Sequence, residues 1–157
     1  MIERHDVVRK RVDILVKWLT GAVVLLATAV ACSKPPQIDF YVTGQKYMNG
    51  GGYAALVCIY QLRSDTNFRG LQRELFWREG QKTLQSDIVG TRTDVMLAPN
   101  EIRVLTIVLS EETNFIGAAA DLRKPEGDLW RQVYPLGPRI ESTIEIVVGM
   151  GGIELKY

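Results

Sequence analysis

The sequence predicts an all-β domain: an antiparallel β-sandwich with a short helical insertion. Three observations carry that expectation. Residues 38–43 (IDFYVT) and 139–148 alternate apolar with polar side chains, the period of a strand half-buried in a sheet. Glycine, proline and asparagine interrupt the apolar runs at short intervals, so that seven or eight brief strands fit the spacing of a sandwich. Residues 64–80 alone change to a helical period.

The chain begins with an export segment. Arg4, Arg9, Lys10, Arg11 and Lys17 precede fourteen uncharged residues, from Trp18 to Ala31. A spanning helix needs roughly 20 apolar residues, whereas a basic stretch, a short apolar run and small residues before a cleavage point make a bacterial export signal. Cleavage is expected after Ala31, giving a signal over 1–31, a tether over 32–37 and a sandwich over 38–157. Two readings of the cleavage point stay open. Ala29-Val30-Ala31 is an A-x-A site with Cys32 as a plain first residue, or the four residues resemble a lipobox, whose cysteine thiol takes a diacylglyceryl group. The lipobox pattern prefers Leu where Ala29 stands, but a small residue directly before a cysteine at the end of an apolar run favours lipidation. Ser33 is not the Asp that usually retains such proteins in the inner membrane, so the resemblance implies an outer-membrane anchor facing the periplasm, with outer-membrane lipid as one partner.

Composition excludes several functions. Removing residues 1–31 takes five of the 19 Lys and Arg and three of the 18 Asp and Glu, leaving 14 basic against 15 acidic residues. That balance, without a basic run, lacks the electrostatic footprint of nucleic-acid binding. His5 is the only histidine and lies in the signal, which removes Ser-His and Cys-His pairs and any histidine-based zinc site. No phosphate loop, EF-hand or dinucleotide fingerprint appears, and Glu111-Glu112 reads as a solvated turn. The expectation is a protein that is not an enzyme, with no catalytic residue, no metal and no cofactor beyond a covalent lipid on Cys32. Two cysteines in an exported chain would suggest a disulfide, which lipidation of Cys32 would forbid. Cys58, inside ALVCIYQL, is then a buried free thiol acting as a small hydrophobe.

In order along the domain, SKPPQ (33–37) is an extended tether. At about 3.3 Å per residue it reaches on the order of 17 Å. Residues 53–63 are apolar on both faces, as in a central strand covered on each side. Phe68, Leu71 and Leu75 mark one helix face, with Asp65, Thr66 or Asn67 as cap and Gly80 as stop. Phe76 and Trp77 widen that stripe for packing on the sandwich. Residues 91–97 and 101–109 read as a hairpin closed at Pro99-Asn100, where asparagine accepts a positive φ. Further strands are expected over 115–122, near 130–134, over 139–148 and over 153–157. Gly149–Gly152 (GMGG) between the last two reads as a turn, since a dinucleotide loop would need a helix after it.

The candidate site is the glycine-rich stretch 44–53. One reading is a floppy hairpin, because three consecutive glycines raise the entropy lost on ordering. As a binding loop it offers Gln45, Lys46, Tyr47, Met48, Asn49, Gly50 and Tyr53, with Lys46, Tyr47, Met48 and Tyr53 expected to carry most of the contact energy. An aromatic and a methionine flanked by glycine have no obvious core to enter, and tyrosine is enriched among interface hot spots. A different function class, a periplasmic lipoprotein binding a small ligand or sugar, would use Tyr47, Tyr53 and Trp130 as exposed aromatics.

Several segments together resemble the TssJ family of outer-membrane lipoproteins of type VI secretion systems. Leu56-Val57-Cys58-Ile59-Tyr60-Gln61-Leu62 resembles the family's strand ending in Tyr-Gln-Leu, with Phe68 and Leu75 following in its helix. Leu97-Ala98-Pro99-Asn100-Glu101 resembles its Leu-x-Pro-Gly-Glu turn, and Phe115-Ile116-Gly117-Ala118-Ala119-Ala120 with Trp130-Arg131 its Ile-Gly-Val-Val-Ala strand and Trp-Arg pair. Asn100 replaces Gly, Leu122 replaces an aromatic, and Ala54-Ala55 stands where prolines are common. The resemblance implies a transthyretin-like sandwich. It also implies that the chain anchors the secretion membrane complex by binding the periplasmic C-terminal domain of TssM, and through it the rest of the TssJLM complex, with the loop 44–53.

Overall fold

The computed structural model describes residues 35–138 and 141–157. The signal, Cys32 with its expected lipid and the first part of the tether lie outside the described residues, as do Arg139 and Ile140 of the expected strand 139–148. The elements in order are β1 (Gln37–Gly44), α1 (Met48–Gly51, one turn), β2 (Ala55–Leu62), α2 (Thr66–Gly70), α3 (Arg73–Thr83), β3 (Thr93–Leu97), β4 (Ile102–Val108), β5 (Phe115–Ala120), β6 (Arg131–Pro135), β7 (Thr143–Val148) and β8 (Ile153–Lys156).

The strands form two four-stranded sheets, β4-β1-β7-β8 and β3-β2-β5-β6. Between them lies the apolar set that alternation placed inside: Ile38, Phe40 and Val42 of β1 with Ile144, Ile146 and Val148 of β7, all fully buried. The sandwich is as expected, with one difference in hand. β1 and β7 pair in parallel, Phe40 opposite Ile144, while the other pairs are antiparallel. The chain crosses from the second sheet to the first after β6, so β7 enters from the same end as β1 and runs beside it.

β2 is covered on both faces. Alternation turns Val57 and Ile59 toward the first sheet and Cys58 and Tyr60 toward the helices, where the Tyr60 ring lies 5.4 Å from that of Phe68. Phe68, Phe76 and Trp130 continue the cluster at 5.4 and 4.9 Å. Gly117 of β5 makes room for it: a Cβ there would come within 2.9 Å of Leu62 Cδ1 and Phe68 Cζ.

Two sequence expectations are corrected here. Residues 64–80 are not one helix stopped at Gly80: extended Leu71 and Gln72 (ψ 134° and 147°) separate α2 from α3, which runs on to Thr83. The break resets the face, so Phe76 is 3% exposed while Leu75, expected in the stripe, is 38% exposed. Nor does Pro99-Asn100 close a hairpin. Leu97 pairs with Ala55 in one sheet and Ile102 with Thr43 in the other, so the turn carries the chain between sheets. Its local chemistry is as read, since Asn100 has φ 59° and Glu101 N–H donates to Ala98 O at 3.2 Å.

Strand directions sort the connections into two poles. The tether enters at one, where Leu109 N–H donates to Pro36 O at 2.8 Å. At the other, the ends of β1 and β7 meet the start of β2 and β8, gathering 44–54, 98–101, 121–130 and 149–152. Eight residues of β1 at roughly 3.3 Å each put about 26 Å between the poles.

A candidate protein-docking site

The stretch 44–53 links the two sheets across the far pole, and its residue types are those the path requires. Gly44 ends β1 where any Cβ would overlap Ala98 O and come within 2.7 Å of Met48 Sδ. Asn49, Gly50, Gly51 and Gly52 all have positive φ (52°, 74°, 132° and 90°), a run that glycine adopts freely and asparagine tolerates. The loop is not floppy. Gln45 N–H donates to Val148 O (3.0 Å), Asn49 N–H to Gly149 O (3.0 Å) and Gly50 N–H to Met150 O (2.8 Å). Asn49 is 3% exposed, and its side chain both donates to Ala54 O (2.6 Å) and accepts from Arg123 N–H (2.6 Å). A buried amide so fully partnered fixes the turn.

This geometry divides the expected contact residues. Met48 does not face a partner: it is fully buried against Gly44 and Leu97, because the left-handed turn after it directs it into the core. Asn49, equally buried, is a positioning residue. The exposed members are Gln45, Lys46, Tyr47 (57%), Gly50 and Tyr53 (53%). Lys46 Nζ lies 5.1 Å from the Tyr47 ring centre and the Arg123 guanidinium 4.0 Å from that of Tyr53, arrangements that hold both rings in place. Gln45 also lines an open cleft of about 390 Å³ with Leu129, Gln132, Gly149 and Gly152. Arg123, Lys124 and Met150 share the pole through the 121–130 and 149–152 connections. Reasoning from the sequence missed them because only the fold brings those segments together; the GMGG turn was the one local signal.

Trp130, offered above as an exposed aromatic for a small ligand, is 1% exposed and packed on Phe76 at 4.9 Å. Cys58 is a free, fully buried thiol. Burial, with Asp94 beside it, pushes it from 9.0 up to about 12, so it stays protonated and unreactive at neutral pH. Among the described residues no cluster of three or more His, Cys, Asp or Glu is placed to hold a metal ion.

A two-sheet sandwich with a rigid, aromatic-bearing loop pole defines the class, a β-sandwich closed at one end by ordered loops. The chain belongs to the type VI secretion lipoprotein family (VasD, EvfM, TssJ), whose family model matches residues 36–150. Its fold is similar to that of the lipoprotein TssJ1 from Pseudomonas aeruginosa (24% identity, TM-score 0.71, covering 78% of this chain and 96% of that one). It is likewise similar to Lip of Serratia marcescens, a membrane-bound component of the type VI secretion system (17%, TM-score 0.71, 79% and 98%). A chain of a type VI membrane complex is similar as well (20%, TM-score 0.69, 79% and 100%). No curated protein matches the chain in sequence.

Proposed function

We propose that this chain is a non-catalytic outer-membrane lipoprotein, anchored by lipid on Cys32, that ties the type VI secretion membrane complex to its membrane by binding the periplasmic C-terminal domain of TssM. The family membership and the likeness to a chain of a type VI membrane complex support this reading. The observation that carries it is the polarity of the sandwich. The tether enters at one end, and Lys46, Tyr47 and Tyr53 stand on a rigid loop about 26 Å away, facing where an inner-membrane partner would arrive. Large, ordered, half-exposed tyrosines are suited to be contact residues, since little conformational freedom is lost when they are covered.

The test is binding of the full-length lipoprotein, in detergent, to a TssM periplasmic C-terminal fragment. Tyr47→Ala with Tyr53→Ala should weaken binding by about 2 kcal/mol or more while leaving the melting temperature unchanged, because neither side chain is in the core. Undiminished binding by this variant would place the interface elsewhere on the sandwich.

A further inference from the structure

We infer that the far pole is a composite, electropositive surface that docks an acidic protein segment, with Arg123, Lys124 and Met150 joining Lys46, Tyr47 and Tyr53. The inference rests on the docking reading of the same pole and adds the chemistry of what docks. Three different connections supply these side chains, and hydrogen bonds tie them to one another. Asn49 accepts from Arg123 N–H, Gly50 N–H donates to Met150 O, and Glu126 N–H donates to Gly151 O at 2.8 Å. Met150 is 58% exposed, an apolar side chain whose own carbonyl accepts from Gly50 N–H of the tyrosine-bearing loop.

The charge is one-sided. Among the described residues, Lys46, Arg123 and Lys124 have no ion-pair partner, and two of them lie over tyrosine rings, which do not neutralise them. Three carboxylates of this pole each lie beside an arginine in a surface ion pair: Asp121 with Arg73 (3.6 Å), Asp128 with Arg131 (3.3 Å) and Glu101 with Arg103 (2.6 Å). Glu126 remains, its side chain lying along Gly151, where a Cβ would come within 2.7 Å of its Cγ. With the ion pairs counted, six basic side chains (Lys46, Arg73, Arg103, Arg123, Lys124 and Arg131) stand against four carboxylates (Glu101, Asp121, Glu126 and Asp128), and on a mature chain of 14 basic and 15 acidic residues that excess makes a local field that selects partners by sign. The matching occupant is a protein segment with two or more carboxylates around an apolar or aromatic residue that meets Met150 and the tyrosine faces.

Two arms test this on the full-length lipoprotein in nonionic detergent. In the first, the protein is titrated with a random glutamate–tyrosine copolymer, and with a lysine–tyrosine copolymer as control, between about 50 and 500 mM NaCl. The acidic copolymer should bind, weaken steeply with salt, and lose about tenfold in affinity in Arg123→Gln with Lys124→Gln. That variant keeps its fold, because it is the Arg123 backbone N–H that Asn49 holds. Equal binding of the two copolymers, or an undiminished variant, overturns the inference. The second arm repeats the titration with the TssM fragment. Binding there with a failed first arm leaves the docking reading standing and removes the acidic partner, and the reverse pattern removes TssM while keeping the chemistry.

Discussion

At the scale of single residues, Asn49 and Cys58 decide the most. Asn49 combines a left-handed backbone with two side-chain hydrogen bonds from a buried position. Asn49→Ala should cost about 2 to 4 kcal/mol, from a lost amide whose partners remain buried and a backbone that alanine resists. Asn49→Gly, which accepts the same φ, should cost visibly less. Urea denaturation of the pair checks this, and an alanine variant as stable as the parent would show that the loop is held by its glycines alone. Cys58 predicts a pH effect of definite sign. Its thiol is raised in the folded state, so the stabilisation is fully present below pH 9 and is lost as pH rises toward the folded value of about 12. Stability should therefore fall with alkaline pH, and Cys58→Val should make the fall shallower without abolishing it, because burial raises Tyr60 as well. Denaturation measured at rising pH gives the slope, and an identical slope in Cys58→Val rejects the assignment. The exposed tyrosines and the buried thiol were legible in the sequence as residue types in context. Met48 was not, because the direction of its side chain depends on the four positive-φ residues after it, which pattern reasoning does not reach.

At the scale of elements, β1, β2, β5 and β7 were legible because they are long, apolar and periodic, and their burial answers to alternation alone. What escaped was partnership. Period 2 tells which face of a strand is buried and says nothing of which sheet it joins, so the segments flanking Pro99-Asn100 looked like a hairpin although they sit in opposite sheets. The helical insertion failed for a related reason. A single stripe over Phe68, Leu71 and Leu75 presumes one axis, and two extended residues at Leu71-Gln72 rotate the second helix so that Phe76 meets Phe68, Trp130 and Tyr60. Phe76→Ala should therefore destabilise by about 3 to 5 kcal/mol, the cost of a large buried ring and its cavity. Leu75→Ala, at an exposed position, should stay within about 0.5 kcal/mol. Chemical denaturation separates these, and comparable losses at both sites would mean that α3 packs on a different face.

At the scale of the whole molecule, the fold turns a linear order into a direction. The sequence places the glycine-rich loop only a few residues after the tether, which reads as a loop near the membrane. Because β1 lies between them as one extended strand, the two instead occupy opposite poles about 26 Å apart. A lipid at Cys32 would hold one pole at the membrane and present the other, with its ordered tyrosines and unpaired cations, to the periplasm. Anchoring and docking are then separable. Each buried CH₂ of an acyl chain contributes about 0.8 kcal/mol and one chain holds only marginally, so the several chains of a bacterial lipoprotein, carried on Cys32, would keep the protein on the membrane by themselves. Nothing in the described domain depends on them, since its core closes between the sheets and under α2 and α3. Cys32→Ala should accordingly yield a domain with an unchanged melting temperature and unchanged affinity for the TssM fragment, recovered in the soluble periplasmic fraction after cleavage at Ala29-Val30-Ala31. If the proposed function holds, the same variant should lose secretion in cells, because docking without an anchor would leave the complex untied to the outer membrane. Fractionation and secretion assays on one strain give both readouts, and a Cys32→Ala protein that remains with the outer membrane would show that something other than the lipid holds it there.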